Sequence, residues 1–180
     1  MTNSLNNLPY QPVLNQQPIQ IMRLNSFHEE SSLVPHRHSF YMVYWANSDH
    51  GLHYINFQEY EMLSGRVFFL HENQVHQVKN YPSEGWLVFF DKMLFRHFLN
   101  IHPHQEQTAI FDYFNRVPWV DSNAAEVERF NSIATLLLEE VQGANQLKIN
   151  FIIYLCFFCS LVKSLKILSI KTPTHQMPQH

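Results

Sequence analysis

His36-Arg37-His38-Ser39-Phe40-Tyr41-Met42-Val43-Tyr44-Trp45 opens on two imidazoles and runs directly into aromatic and β-branched residues. Such residues favour a pleated strand. Alternate side chains of a strand share a face, so His36 and His38 lie on one side, and Phe40, Met42 and Tyr44 continue it. Further along, the run from Gly65 through His71 and Asn73 to His76 and Asn80 brings another histidine to the start of a strand. His36, His38 and His76 therefore converge from two strands if the sheet closes into a barrel.

Outward from this segment, the chain reads as β from Ile19 to Asp91. Candidate strands are Ile19–Leu24, Phe40–Trp45, Leu52–Phe57, Gln58–Leu63, Arg66–Leu70, His76–Lys79 and Trp86–Phe90. Turn residues separate them at Asn47-Ser48-Asp49, at Ser64-Gly65 and at Tyr81-Pro82-Ser83-Glu84-Gly85. Many short, closely spaced strands predict a sandwich or barrel and not a parallel sheet. Pro9, Pro12 and Pro18 interrupt any helix before Ile19, so residues 1–18 read as an extended arm, mobile or laid over the domain surface.

After Asp91 the period becomes helical. Asp91 is placed to cap a helix over Lys92–Leu99, and a second short helix is expected over Thr108–Phe114. Val117–Val120 reads as a last strand. Asn123-Ala-Ala-Glu126 has the form of a capping box, followed by Val127, Phe130, Ala134, Leu137, Leu138 and Val141 at helical spacing and by Gly143 as a stop. A second long helix is expected over Gln146–Ser169. Phe151, Leu155, Phe158, Val162 and Leu165 make one apolar stripe on it, and further apolar residues lie off the stripe. A helix apolar on more than one side must be covered on more than one side. An isologous dimer through that stripe would do so, as would burial against the Asn123–Gln142 helix. Lys171–His180 reads as a linker. The expected layout is thus an arm (1–18), a β barrel with short helices (19–122), a helical dimerisation region (123–170) and a linker (171–180).

The chain has 180 residues, a formal charge of −3 and only 15% charged residues, with 12 His spread along it. That length suits one domain. The slightly acidic balance offers no basic patch for nucleic acid. Two Cys exclude a disulfide-stapled scaffold. Cys156 and Cys159, in mid-helix and away from any cation, read as inert core thiols. The most apolar run, Phe151–Val162, is too short for a membrane span, and no basic segment followed by an apolar core opens the chain. A soluble, cytoplasmic protein with no membrane partner is the expectation.

The two histidine segments resemble the two motifs of the cupin superfamily. His36 and His38 stand at its His-x-His, and Gly65, His76 and Asn80 match the second motif in spacing. The metal-binding carboxylate of the first motif falls on Met42 or Val43, and the Pro and Gly of the second on His71 and Asn73. The closer resemblance is to the sensor half of AraC-family transcription regulators. It rests on Phe40-Tyr41-Met42-Val43-Tyr44-Trp45, Gly51-Leu52-His53-Tyr54-Ile55-Asn56-Phe57, Gly65-Arg66-Val67-Phe68-Phe69 with Gln74-Val75-His76, and Gly85-Trp86-Leu87-Val88-Phe89-Phe90. The likeness runs from about Ile19 to Ser169. It implies a mainly β, cupin-like jelly-roll barrel followed by short helices and two long helices. It also implies a small-molecule effector, an arm that responds to it, and a homodimer. DNA would be met only through a helix-turn-helix domain, which these 180 residues do not contain.

For the chemistry, three readings of His36, His38 and His76 stand side by side. They are a metal site, polar groups lining an organic-ligand pocket, or structural histidines at a strand mouth. The ligand-lining set is His36, His38, Met42, Tyr44, Arg66, His76 and Trp86. Arg66 is suited to a carboxylate or phosphate if it is not simply solvated, and Trp86 needs a partner for its N–H. His53 and His71 read as surface or turn residues, and His102-Pro103-His104 as a loop. No catalytic residue and no cofactor are expected. The competing function is a small metal-dependent cupin enzyme, a dioxygenase or isomerase, holding its metal on His36, His38 and His76.

Overall fold

The structure, a computed structural model, describes residues 10–11, 18–26, 34–101, 111 and 117–143. The strands are β1 (Tyr10–Gln11), β2 (Ile19–Arg23), β3 (Arg37–His38), β4 (Tyr41–Ala46), β5 (Gly51–Ile55), β6 (Gln58–Met62), β7 (Arg66–Leu70), β8 (His76–Lys79), β9 (Gly85–Phe90) and β10 (Trp119–Asp121). The helices are α1 (Lys92–Ile101) and α2 (Ala124–Gln142). Five strands form an antiparallel sheet in the order β10-β7-β4-β9-β2, and three form another in the order β6-β5-β8. The fold is mainly β with a C-terminal helix, consistent with a cupin-like jelly roll.

Two apolar layers follow from the alternation along β4, β7 and β9. Met42, Tyr44 and Ala46, with Phe68, Leu70, Leu87 and Phe89, face the smaller sheet and meet its Ile55, Met62 and Val78. Tyr41, Val43, Trp45, Val67, Phe69, Trp86, Val88 and Phe90 point the other way, against Phe98 of α1, Phe111, and Phe130, Ala134 and Leu137 of α2. The central strands are therefore buried on both faces. This is why their sequences read as near-continuous apolar runs.

The expected strands stand within a residue or two of those observed. The β5–β6 hairpin is the local surprise. Asn56 and Phe57 both adopt positive φ, 49° and 66°. This is the two-residue turn whose twist matches a hairpin. Phe at the second position hides the turn from a reading of residue types. Within the arm, β1 pairs in parallel with β3, Tyr10 opposite Arg37 and Gln11 opposite His38. The predicted Thr108–Phe114 helix falls almost wholly outside the described residues, and the Gln146–Ser169 helix does so entirely.

At the start of α2, Asn123 accepts from the Glu126 N–H (3.0 Å) and the Glu126 carboxylate accepts from the Asn123 N–H (2.8 Å), completing the capping box. Replacing Asn123 by Ala leaves a helix-end donor unpaired and should cost about 1 kcal/mol. Urea unfolding of Asn123→Ala would show this, and a midpoint equal to the parent's would contradict it.

Candidate functional site

Four histidines meet at one end of the inner layer. The residue before β3 supplies His36, β3 supplies His38, β5 supplies His53 and β8 supplies His76. His36 and His76 bridge through their backbones, N–H to carbonyl in both directions at 3.0 and 2.9 Å. The Asn73 N–H donates to the His38 carbonyl at 2.7 Å. Asn73 itself takes positive φ, 64°, in the turn before β8. Asn tolerates that conformation better than most residues. The His-x-His segment is thereby pinned to the start of β8.

The rings are close. Centroids lie 4.2 Å apart for His36–His76, 5.0 Å for His38–His76 and 5.4 Å for His53–His76. His38 stacks on Phe40 at 4.1 Å, and His53 packs against Phe68 at 4.9 Å and Tyr44 at 5.3 Å. His38 and His53 are wholly buried, at 0% exposure. Burial, the dominant cause, pushes both down to about 3 from the ordinary 6.5, and neighbouring imidazoles add to the effect. His76 moves well down for the same reasons. These three rings are neutral at physiological pH.

Neutrality fixes the hydrogen-bond roles. A carbonyl only accepts, so His38 Nδ1 donates to the Phe40 carbonyl (2.8 Å) and His36 Nδ1 to that of Val34 (2.9 Å). His38 Nε2 is then a lone-pair acceptor, and it is buried with no partner. His53 Nε2 and His76 Nδ1 stand 3.2 Å apart and share one hydrogen. Whichever ring gives it, the outer nitrogens of the pair, His53 Nδ1 and His76 Nε2, are left as one donor and one acceptor. Both are buried and unpartnered, as is Tyr44 Oη. Burial, with a further push from Tyr81, raises the Tyr44 hydroxyl well above its ordinary pKa, so it stays protonated. A buried polar group left unpaired costs about 1–3 kcal/mol, and four in one apolar layer mark a place suited to a polar guest.

Of the expected ligand-lining residues, His36, His38, His76, Met42 and Tyr44 are brought together on the inner side. Two are not. Trp86 pairs across from Trp45 and faces the helices, donating from Nε1 to Asn131 Oδ1 of α2 at 2.8 Å. Arg66 opens β7 and grips Asp121 with Nε and Nη2 at 2.7 and 3.0 Å, while its guanidinium lies 3.7 Å from the Trp119 ring centre. Its charge is already matched, so it is neither a solvated arginine nor an open anion site. Conversely, His53 was expected at the surface and lies in the core. The signal was present in the sequence, because Gly51, His53 and Ile55 alternate with Leu52 and Tyr54, and β5 buries that first set. Phe151, Leu155, Phe158, Val162 and Leu165, the expected dimer stripe, lie outside the described residues.

The cupin resemblance raises the question of a metal. Among the described residues no group of three or more His, Cys, Asp or Glu is arranged to hold one. The carboxylate that would complete the donor set is replaced by Met42 or Val43, whose side chains are apolar. No helix of the described residues is long and apolar enough to cross a membrane.

No protein-family model matches the sequence, and no curated protein matches it. Solved structures do. ToxT from Vibrio cholerae is similar at 11% identity over 88% of this chain and 60% of that one, with a TM-score of 0.48. The AraC-like transcriptional activator CuxR is similar at 10% identity over 83% and 49%, with a TM-score of 0.46. ToxT from strain SCE256 with an unsaturated fatty acid bound gives 13% identity over 83% and 54%, with a TM-score of 0.47. The chain thus spans between half and three-fifths of the length of these structures.

Proposed function

We propose that this chain is the sensory part of an AraC-type transcription regulator, binding a small organic effector between its two sheets. The observation that carries the reading is the group of unpartnered polar atoms on His38, His53, His76 and Tyr44 in an otherwise apolar layer. His38 Nε2 accepts, so the effector presents a hydroxyl or amine hydrogen to it. The His53–His76 pair adapts to either polarity because its shared hydrogen can sit on either ring. Aromatic and aliphatic walls with a few convergent polar groups suit such a ligand.

The arm supplies the first link outward. β1 lies on β3, with Gln11 opposite His38. An effector that moves His38 thereby shifts the strand on which the arm rests. Dimerisation through Phe151, Leu155, Phe158, Val162 and Leu165, and DNA contact by a helix-turn-helix domain beyond these 180 residues, complete the reading in the cytoplasm. It assigns the protein no catalytic step.

The test is thermal melting of the chain with a panel of small hydroxylated, amine and carboxylate compounds. A ligand at a hundred times its Kd stabilises by about 2.7 kcal/mol, which is roughly 5–10 °C for a chain of this size. At least one compound should reach that range, with the gain abolished in His38→Phe. If none shifts the midpoint, the chain is a dimerisation module with a closed interior. Stoichiometric Fe, Mn, Ni or Zn that is lost in His38→Phe would replace the proposal with the metal-dependent enzyme.

A further inference from the structure

Two hydroxyl groups on one guest can satisfy all four unpartnered atoms on His38, His53, His76 and Tyr44, and no purely ionic group can. We propose that the effector is an uncharged compound carrying two hydroxyls, and that the inner layer rejects carboxylates and amines. This rests on the reading that the layer holds the effector, and it names the effector's chemical class.

Donors and acceptors set the class first. His38 Nε2 accepts. The outer nitrogens of the His53–His76 pair are one donor and one acceptor, and Tyr44 Oη carries a hydrogen. The layer therefore takes two hydrogens and offers two. A hydroxyl gives one hydrogen and has lone pairs to receive another, so two hydroxyls complete the set. The groups are close enough for one small molecule. Ring centroids lie 5.0 Å apart for His38–His76, 5.4 Å for His53–His76 and 5.3 Å for Tyr44–His53. A carboxylate has no hydrogen to give, and leaves His38 Nε2 and the pair's acceptor unmatched. An ammonium group has no lone pair, and leaves the pair's donor unmatched.

Charge decides in the same direction. Among the described residues, the buried Lys, Arg, Asp and Glu side chains are Arg66 and Glu126. Arg66 is held by Asp121, and Glu126 closes the cap of α2. The charges that act on His38, His53 and His76 are one another's and that of His36. An ionic guest thus finds no counter-ion and must be neutralised to enter. At pH 7.5 a carboxylic acid with pKa near 4 is neutral in about one molecule in three thousand, and an amine with pKa near 10.4 in roughly one in a thousand. Moving the proton to His38 is harder still. With its pKa at about 3, about one folded molecule in thirty thousand carries that proton. A hydroxyl bears no such penalty.

Matched compounds on two skeletons test this: hexanediol, adipate and diaminohexane, and benzenedimethanol, terephthalate and xylylenediamine. Their binding to the full chain at pH 7.5 is measured by saturation-transfer NMR. At least one diol is expected to bind, ~100-fold or more tighter than the acid and the amine on its own skeleton. Its affinity should fall roughly tenfold in Tyr44→Phe, which removes a hydroxyl and keeps the ring, and at least as much in His38→Phe. Tyr44→Phe reports even if His38→Phe does not fold. An acid or amine that binds as tightly as its diol, with the same dependence on Tyr44, would overturn the diol class and leave the effector reading standing. So would a failure of both diols while another compound stabilises the chain through His38. No binding by any compound would overturn both, and would leave the four atoms to bound water.

Discussion

Gly85→Ala is expected to lose at least about 3 kcal/mol of stability and roughly 10 °C of melting temperature. Gly85 begins β9 with φ at 147°, a conformation that L side chains rarely adopt. A Cβ there would stand 2.0 Å from the Trp45 carbonyl oxygen and 2.6 Å from Leu24 Cδ1. The oxygen belongs to the neighbouring central strand, held by β9 on one side and β7 on the other, so it cannot move without breaking ladder bonds. Local strain of about 1–3 kcal/mol adds to overpacking of similar size. Gly143 is the control, since its φ is −74° and its nearest contact for an added Cβ is 3.3 Å. Gly143→Ala should change stability by no more than about 0.5 kcal/mol. Paired urea unfolding of the two variants gives the comparison, and equal midpoints would show that the β4–β9 junction is softer than its geometry.

The same junction shows what was legible in the sequence. The aromatic and β-branched runs Phe40–Trp45 and Arg66–Leu70, bounded by turn residues, reveal strands, and the spacing from Asn123 to Glu126 reveals a capped helix, because both signals are local. Register is not local. Tyr44 lies opposite Leu87 and Trp45 opposite Trp86. Trp86 therefore belongs with Trp45 on the helix side, and no count of residues within either strand discloses that. Arg66 finds its carboxylate at Asp121, far along the chain, and a lone arginine at a strand start gives no hint of it. His53 differs, since its parity with Ile55 was readable. A histidine among turn-flanked residues suggests the surface, while here the ring lies against Tyr44 of β4, Phe68 of β7 and His76 of β8. Of the arm, the pairing of Tyr10–Gln11 with β3 required the partner strand to be known.

Acid is expected to unfold this protein in a range where few carboxylates titrate. In the unfolded chain an imidazole titrates near 6.5, whereas folded His38 and His53 hold out to about 3. Between these values the unfolded chain binds protons that the folded chain refuses, so stability is whole above about pH 6.5 and falls as the pH drops towards 3. Each such histidine costs about 1.4 kcal/mol per pH unit, or about 2 kcal/mol by pH 5. His38 and His53 together then remove about 4 kcal/mol, and His76, displaced in the same direction, adds to the loss. Typical domains hold 5–15 kcal/mol in all. Carboxylates with ordinary pKa values near 4 contribute little between pH 7.5 and 5, and exposed histidines that titrate alike in both states contribute nothing. Urea midpoints at pH 7.5, 6.0 and 5.0 should therefore fall steeply in the parent and less steeply in His53→Phe. A flat profile would mean that the cluster already carries charge in the folded state. Effector binding to the folded protein should not follow this fall, because folded His38 keeps the Nε2 lone pair that accepts from the effector until the pH nears 3. Between pH 7.5 and 5 stability should therefore drop while the affinity of the folded fraction holds, and an affinity that fell in parallel would mean that His38 takes its proton in the folded state.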